Sequence, residues 1–241
     1  MKMTPEDIEQ LRSAFAICRV AGIDAAVVTD NQVRGLSPNA KMAIITPVNL
    51  TIDKEVKIGI GRIGEFDKRL QIFGGNISVD TKINDANEVS VMTLKSGKST
   101  VQFRCTAERM IKYPKFNEDP EACTIIANKA EVAQIARAVK TLGAETLTLA
   151  IGRDNSIKFE CTSPTNESFT AELSNEATFV DDPQGIVHIY EGDRLATVLD
   201  AAARDTDEVA MVVGEFGSLT ILIKGHTLVA MPEANQEDDD E

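Results

Sequence analysis

One stretch near the middle of the chain, Tyr113-Pro114-Lys115-Phe116-Asn117-Glu118-Asp119-Pro120-Glu121, separates two halves of similar pattern. It contains two prolines and three acidic residues, and its apolar residues follow neither a helical nor a strand period. Such a composition is typical of a linker between compact parts. The chain has 241 residues, which is enough for two domains. We therefore predict domains at 1–113 and 124–232, a connector at 114–123 and an acidic, disordered tail at 233–241.

Each half begins with a predicted helix and contains a second one. In the first half, Thr4 is a typical helix cap before Pro5, and apolar residues recur at helical spacing as far as Cys18. A second helix is predicted at 63–73, with Gly74-Gly75 after it. In the second half, the same spacing predicts helices at 129–142, ended by Gly143, and at 193–204.

Short alternating segments between turn residues predict strands around these helices. In the first half they are 25–29, 32–36, 42–45, 50–52, 77–83, 88–94 and 100–105; in the second half they are 146–152, 156–161, 168–173, 209–214, 219–224 and 228–231. The order helix, strands, helix, strands thus occurs twice, which indicates an internal repeat of about half the chain. We predict an α+β fold of two similar domains, each with two helices packed on antiparallel sheets.

The sequence offers little for catalysis or metal binding. Its two histidines, His188 and His226, stand in alternating apolar segments, which favours histidines on the polar face of a strand over metal ligands. The segment Gly59-Ile60-Gly61-Arg62-Ile63-Gly64 fits the pattern G-x-G-x-x-G, but Glu65 would stand at the phosphate site. We predict no enzyme, no metal and no cofactor, and keep a small-molecule enzyme that uses either histidine as an alternative.

The compartment follows from the cysteines and from the lack of long apolar runs. Cys18, Cys105, Cys123 and Cys161 form no closely spaced pair, so we expect free thiols in a reducing cytoplasm. No apolar run approaches the roughly 18 residues that a membrane helix needs. The N-terminus turns polar and acidic at once, which is unlike a signal peptide.

The charge pattern leaves two interpretations open. The formal net charge of −13 argues against a protein that grips nucleic acid by bulk charge. Basic residues nevertheless recur on the outward or flanking faces of the four predicted helices, whose acids we expect in the first turns. They are Arg12, Arg19, Lys68, Arg69, Lys129, Arg137, Lys140, Arg194 and Arg204. They could form a shallow positive lining for a nucleic-acid backbone, or they could be ordinary solvated helix faces.

Three features together resemble the sliding clamps of DNA replication. They are the twofold helix–strands order, the exit Lys112-Tyr113-Pro114 into an acidic connector, and the ending Leu228-Val229-Ala230-Met231-Pro232 before a polar tail. The resemblance covers roughly residues 1–232. It is nearest to the clamps of tailed bacteriophages, with the proliferating cell nuclear antigen (PCNA) of eukaryotes and archaea as a more distant relative.

The resemblance implies a non-enzymatic processivity factor that encircles duplex DNA as a homotrimeric ring of six similar domains, in the infected bacterial cell if phage-encoded. The nine basic residues would face the DNA. DNA polymerase and clamp-loader subunits would dock short peptides at Tyr113, Pro114, Phe116, Val229, Met231 and Pro232. We expect edge strands at 101–105 and 157–161 as candidate subunit contacts. The alternative from another class is an acidic scaffold or interaction protein that uses the clamp fold without encircling DNA.

Overall fold

The computed structural model describes residues 2–73, 77–114, 119–182 and 185–233. Contacts divide the chain into two compact units: Met1–Pro38 with Ala43–Lys115, and Asn39–Met42 with Phe116–Glu241. Part of the connector, 115–118, and most of the acidic tail, 234–241, lie outside the described residues. The predicted domain limits therefore stay a prediction.

The two units contain the same series of elements. The first has β1 (Lys2–Met3), α1 (Pro5–Val20), β2 (Ala26–Val28), β3 (Gln32–Leu36), β4 (Met42–Pro47), β5 (Ile58–Ile60), α2 (Ile63–Gln71), β6 (Ser78–Ile83), β7 (Val89–Ser96), β8 (Ser99–Arg104) and a 3-10 helix at Glu108–Met110. The second has β9 (Glu121–Asn128), α3 (Lys129–Leu142), β10 (Thr146–Ile151), β11 (Ile157–Thr162), β12 (Ser168–Glu172), β13 (Thr178–Phe179), β14 (Ile186–Glu191), α4 (Gly192–Asp205), β15 (Glu208–Gly214), β16 (Leu219–Ile223) and β17 (His226–Ala230). Apart from the short β13, both units read strand, helix, four strands, helix, three strands.

Each unit builds two antiparallel sheets from these strands. In the first unit the orders are β1-β6-β7-β8 and β4-β3-β2-β5. In the second they are β12-β11-β10-β14 and β13-β9-β15-β16-β17. The prediction of an α+β fold with two helices per half and antiparallel sheets is confirmed.

The predicted helices begin where local chemistry favours it. Thr4 and Asp7 form a capping box before α1, in which the Thr4 hydroxyl accepts the Asp7 N–H and the Asp7 carboxylate accepts the Thr4 N–H. Asn128 and Glu131 do the same for α3, which ends at Gly143 in the left-handed conformation. α2 and α4 start without a side-chain cap, and α2 ends at Gln71 rather than Phe73.

The prediction of edge strands is right for one strand and wrong for the other. Within the described chain, β8 lies at an edge of its sheet. Residues 157–161 belong to β11, which is interior because β10 and β12 pair with its two sides. The edge on that side of the sheet is β12.

Sequence reasoning also missed elements and added one. The strands β1, β5, β9 and β13 were not predicted, and residues 50–52 are a loop rather than a strand. Leu50 and Ile52 are buried in that loop, and the Leu50 N–H donates to the Asp30 carbonyl. The alternating apolar residues at 50 and 52 are therefore buried by a packed loop rather than by a strand.

Aromatic contacts tie the helices of the first unit to its sheet. The ring of Phe66 on α2 contacts Phe15 on α1 edge-on, with centroids 5.9 Å apart, and Phe103 on β8 at 5.0 Å. All three side chains are buried. In the second unit the largest buried side chain is Tyr190, whose hydroxyl donates to the Gly217 carbonyl at 2.8 Å.

The glycine segment 59–64 runs from β5 into α2 and serves close packing. A Cβ at Gly59 would lie 1.9 Å from the Thr106 carbonyl oxygen, and one at Gly61 would lie 2.3 Å from the Thr106 hydroxyl. β5 pairs antiparallel with β2, so the segment lacks the parallel βαβ setting of a dinucleotide site. These glycines allow the Thr106 backbone to pack against β5.

This packing predicts opposite outcomes for two neighbouring substitutions. Gly59→Ala should lower the free energy of unfolding by about 1–3 kcal/mol or more, because backbone must move to admit the methyl group. Gly64→Ala is the matched control: nothing lies within 4 Å of its Cβ, and alanine in a helix should be neutral or stabilise by up to about 1 kcal/mol. Urea unfolding of both variants measures the difference, and equal stability would refute the packing account.

Candidate nucleic-acid interface

The four helices pack in pairs, α1 with α2 and α3 with α4. Each helix buries an apolar face, which includes Leu11 and Phe15 on α1 and Leu195 and Leu199 on α4. Charged residues are therefore left on the remaining helix surface. All nine basic residues of the four helices are those predicted from the sequence to face DNA.

These nine basic residues are matched by nine acidic residues on the same helices. The helices therefore have a net charge of zero, and the whole −13 of the chain lies outside them. The expectation that helix acids occupy first turns is wrong for four of them: Glu9, Asp67, Asp200 and Asp205. Glu9 pairs with Arg12 within α1, whereas Asp67, Asp200 and Asp205 each have a partner outside their own helix: Arg19, Lys140 and the Lys224 N–H.

Asp67 on α2 joins the two helices of the first pair. Its side chain is 8% exposed and forms an ion pair with Arg19 of α1. The Arg12 Nε atom lies 3.9 Å from the other carboxylate oxygen, and Gln71 donates to Asp67 at 3.2 Å. Two of the predicted DNA-facing cations are thus held by one buried carboxylate.

Asp200 on α4 has the corresponding role in the second pair. Its carboxylate, 24% exposed, lies 3.3 Å from the Lys140 Nζ atom of α3 and 2.7 Å from Arg204 of α4. In each pair, a carboxylate on the second helix therefore holds two cations. Asp67 holds two cations of α1, and Asp200 holds one of α3 and one of α4.

Two further residues predicted to face DNA, Arg69 and Lys129, interact with other side chains of this protein. The Arg69 guanidinium lies 5.4 Å from the centroid of the Phe103 ring and pairs with Glu65 at 3.2 Å. Lys129, the first residue of α3, forms an ion pair with Asp207. That pair offsets the unfavourable position of a cation at a helix N-terminus.

Three predicted residues remain exposed with no ion pair in the part of the chain that the structure describes: Lys68 on α2, Arg137 on α3 and Arg194 on α4. Arg137 donates its Nε–H to the Ala133 carbonyl at 3.2 Å, which leaves its terminal nitrogens for other acceptors. These three side chains are the best placed to contact phosphate oxygens. That all nine residues face DNA stays a prediction.

The predicted peptide-docking residues lie in both units. In the first, the Tyr113 hydroxyl donates to Glu108, which also accepts from Lys57 Nζ at 2.8 Å and 2.9 Å. This hydrogen bond, together with burial, raises the pKa of Tyr113. Tyr113 lines a polar groove of about 370 Å³ with Arg34 and Lys54, and the neighbouring Pro114 is half-buried.

In the second unit, Val229 is buried within β17 while Met231 and Pro232 are half-buried. The Met231 N–H donates to the Lys41 carbonyl at 2.8 Å. The Glu233 N–H donates to Ile189 of β14 at 2.7 Å. Phe116 lies outside the described residues, and the docking pocket as a whole stays a prediction.

Sequence reasoning missed an exposed aromatic beside an acidic pocket of the second unit. Phe216, 74% exposed, lies in the turn between β15 and β16. The Asp119 carboxylate fixes this turn by accepting the N–H groups of Phe216 at 2.9 Å and Ser218 at 3.0 Å. The adjoining pocket, about 370 Å³, is lined by Phe216, Phe179, Ala122, Ile186, Glu121, Asp181, Asp182 and Glu215. An aromatic residue inside a glycine-flanked turn, Gly214–Ser218, is the signal that could have pointed to it.

The histidines and cysteines are candidates for a metal or catalytic site. His188 lies on β14, a strand as predicted, but it is half-buried on the same strand face as the buried Tyr190. His226 is 8% exposed, so the predicted placement on a polar face is wrong for both histidines. Burial lowers the pKa of both histidines and raises the pKa of the Cys18 thiol to about 12. Within the described ranges, no three His, Cys, Asp or Glu side chains lie together as a metal site would require. No helix in those ranges is long and apolar enough to cross a membrane.

The repeated units, each with a helix pair and two antiparallel sheets, define an α+β clamp fold. A crystal structure with this fold, described as the PCNA2–PCNA3 complex from Sulfolobus tokodaii, aligns with 98% of this chain and 100% of its own. The TM-score is 0.65 and the sequence identity 17%, so the similarity concerns the fold alone. Neither a family model nor a curated protein matches the sequence.

The environment of His188 predicts how stability depends on pH. Burial, the larger effect, lowers its pKa below the ordinary 6.5, whereas Asp119 acts in the opposite direction. The unfolded chain therefore takes up a proton first as pH falls. The free energy of unfolding should be greatest above pH 7 and decrease toward pH 5.5. His188→Gln should reduce this difference in unfolding free energy, which urea titrations just above pH 7 and at pH 5.5 measure. An unchanged difference would contradict the assignment.

Proposed function

We propose that the protein is a DNA sliding clamp that encircles duplex DNA, tethers a polymerase for processive synthesis and catalyses no reaction itself. The observation that carries the proposal is the clamp fold, which extends over 98% of the chain. The localisation that fits this role is the cytoplasm, where DNA and polymerase are available. The similar structure from Sulfolobus tokodaii is archaeal, so the resemblance to phage clamps stays a prediction of the sequence.

The helix surface supports this role through its modest charge. A clamp is retained by encirclement, so it needs only weak, sequence-independent phosphate contacts. Lys68, Arg137 and Arg194 would supply these contacts, because none of them has an ion pair among the residues described. The acidic surface outside the helices would repel DNA from the rest of the molecule.

Charge reversal of two of these residues tests the DNA contact. Lys68→Glu with Arg137→Glu should weaken binding of a fluorescent duplex at low salt. The plot of log affinity against log salt should become shallower by about 0.9 for each phosphate that is no longer neutralised. Lys158→Glu with Lys82→Glu, on the exposed faces of β11 and β6, makes the same change in net charge and is the matched control. Equal weakening in both proteins, or none in either, would favour the alternative of an acidic scaffold without a DNA role.

Ring closure would use two strand edges that expose backbone groups. The Cys105 N–H donates to the Ser90 carbonyl of β7. Successive N–H groups of an antiparallel strand point to alternate sides, so those of Thr100, Gln102 and Arg104 point away from β7. By the same rule, Ser168, Thr170 and Glu172 of β12 point theirs away from β11. We infer that β8 of one subunit pairs with β12 of the next, which closes a homotrimer head to tail.

A proline at the β12 edge tests this assembly. Thr170→Pro removes an outward N–H without removing a bond to β11, so the fold should survive while the trimer is lost from native mass spectra. Thr170→Ala should leave the trimer intact. A wild-type chain that stays monomeric at micromolar concentration would refute the homotrimer. A second clamp chain would then be the expected partner, as in the PCNA2–PCNA3 complex.

Polymerase and loader subunits would dock short peptides at the predicted pocket of Tyr113, Pro114, Phe116, Val229, Met231 and Pro232. The exposed Phe216 adds an apolar anchor on a fixed turn of the second unit.

If the protein were instead an enzyme that uses His188 or His226, substitution of both histidines would abolish its activity. A clamp should be unaffected in DNA retention by the same change.

A further inference from the structure

We propose that Asp67 and Asp200, here called the restraining carboxylates, limit how strongly the helix surface holds DNA. The proposal rests on the clamp function proposed above and adds residues that set the strength of the DNA contact. Its basis is the way each of these carboxylates joins two helices and engages two cations of the same surface.

The arrangement occurs once in each unit. Asp67 engages Arg19 and Arg12 of α1, and Asp200 engages Lys140 of α3 and Arg204 of α4. Neither carboxylate lies in the first turn of its helix, where the helix dipole would favour an acid. Four of the nine basic residues on the helices are therefore partly neutralised by two acids.

Stability is a poor explanation for the Asp200 cluster. Lys140 is 40% exposed and Arg204 is 77% exposed, and ion pairs between such side chains contribute little to folding. The apolar contacts of α4, which bury Leu195, Val198 and Leu199, lie on the other face of the helix. The main effect of the Asp200 charge is then on the cations beside it.

A phosphate that approaches Lys140 or Arg204 must compete with the Asp200 carboxylate and is itself repelled by it. Each cation that contacts a phosphate releases a counterion, and this sets both the affinity and its dependence on salt. A clamp that must move along DNA requires contacts that break readily. The restraining carboxylates would keep the number of strong contacts low while leaving Lys68, Arg137 and Arg194 available.

The test uses Asp200→Asn in the full chain. Duplex binding at 50 mM salt should tighten at least threefold, and the salt slope should become steeper by about 0.9 for each additional phosphate that is neutralised. The matched control is Asp80→Asn, which makes the same charge change and frees Lys95 on the β6–β7 sheet. If both variants tighten binding equally, net charge alone acts and the proposal is overturned. No change in Asp200→Asn overturns it as well.

A second variant separates restraint from structure. Adding Lys140→Gln and Arg204→Gln to Asp200→Asn should return affinity and salt slope to the wild-type values or below, because the released cations are gone. Retention of the tighter binding would show that the Asp200 effect does not pass through them. Asp67→Asn should tighten binding similarly, and its thermal unfolding is followed in parallel because this carboxylate is buried.

The two proposals can fail separately. If Lys68→Glu with Arg137→Glu leaves duplex binding unchanged, the helix surface does not contact DNA, and the alternative of an acidic scaffold is favoured. If that variant weakens binding but Asp200→Asn behaves like wild type, the clamp proposal stands and the restraint is refuted.

Discussion

The side-by-side packing of two helices in each unit is the constraint on which the rest of the structure depends. Apolar stripes at helical spacing, such as Leu11 and Phe15 on α1, must be buried, and the sheets of the same unit cover them. Phe66 fixes the first pair by contacting Phe15 on one side and Phe103 of β8 on the other. Once these faces are buried, the polar surface of each pair is determined, and most charged helix residues share it, with Asp7 and Asp67 as buried exceptions.

The charge on that surface differs from what composition suggests and also from a simple basic lining. Nine basic and nine acidic residues make the helices neutral, while the rest of the chain is strongly acidic. The contrast between a neutral helix surface and an acidic remainder is what a DNA polyanion would sense. Net charge alone therefore excludes less than it first indicates: it argues against binding over the whole surface but not against binding along the helices.

Local chemistry explains which parts of the fold could be predicted. α3 was predicted with its observed limits because a capping box, a continuous apolar stripe and Gly143 all act within one segment. β5 and β9 were missed, since three buried residues or a strand that begins in the linker give no clear alternation.

The candidate site was predictable only for the cations. Helix periodicity indicates that Arg19 and Lys140 are on outward faces, but their partners Asp67 and Asp200 come from other helices. The burial of His226 and the exposure of Phe216 likewise depend on tertiary contacts and turns. Sequence spacing places a charge on a face, whereas its neutralisation depends on three-dimensional packing.

The composition of the β8 and β12 edges has a consequence for solubility. Open strand edges commonly promote aggregation, and natural proteins protect them with polar or charged side chains. Here the exposed residues of the edges are Ser99, Thr100, Gln102 and Arg104 on β8 and Ser168, Thr170 and Glu172 on β12. The single edges are thus compatible with water. Separation of two such edges would therefore leave mainly polar and charged side chains facing water.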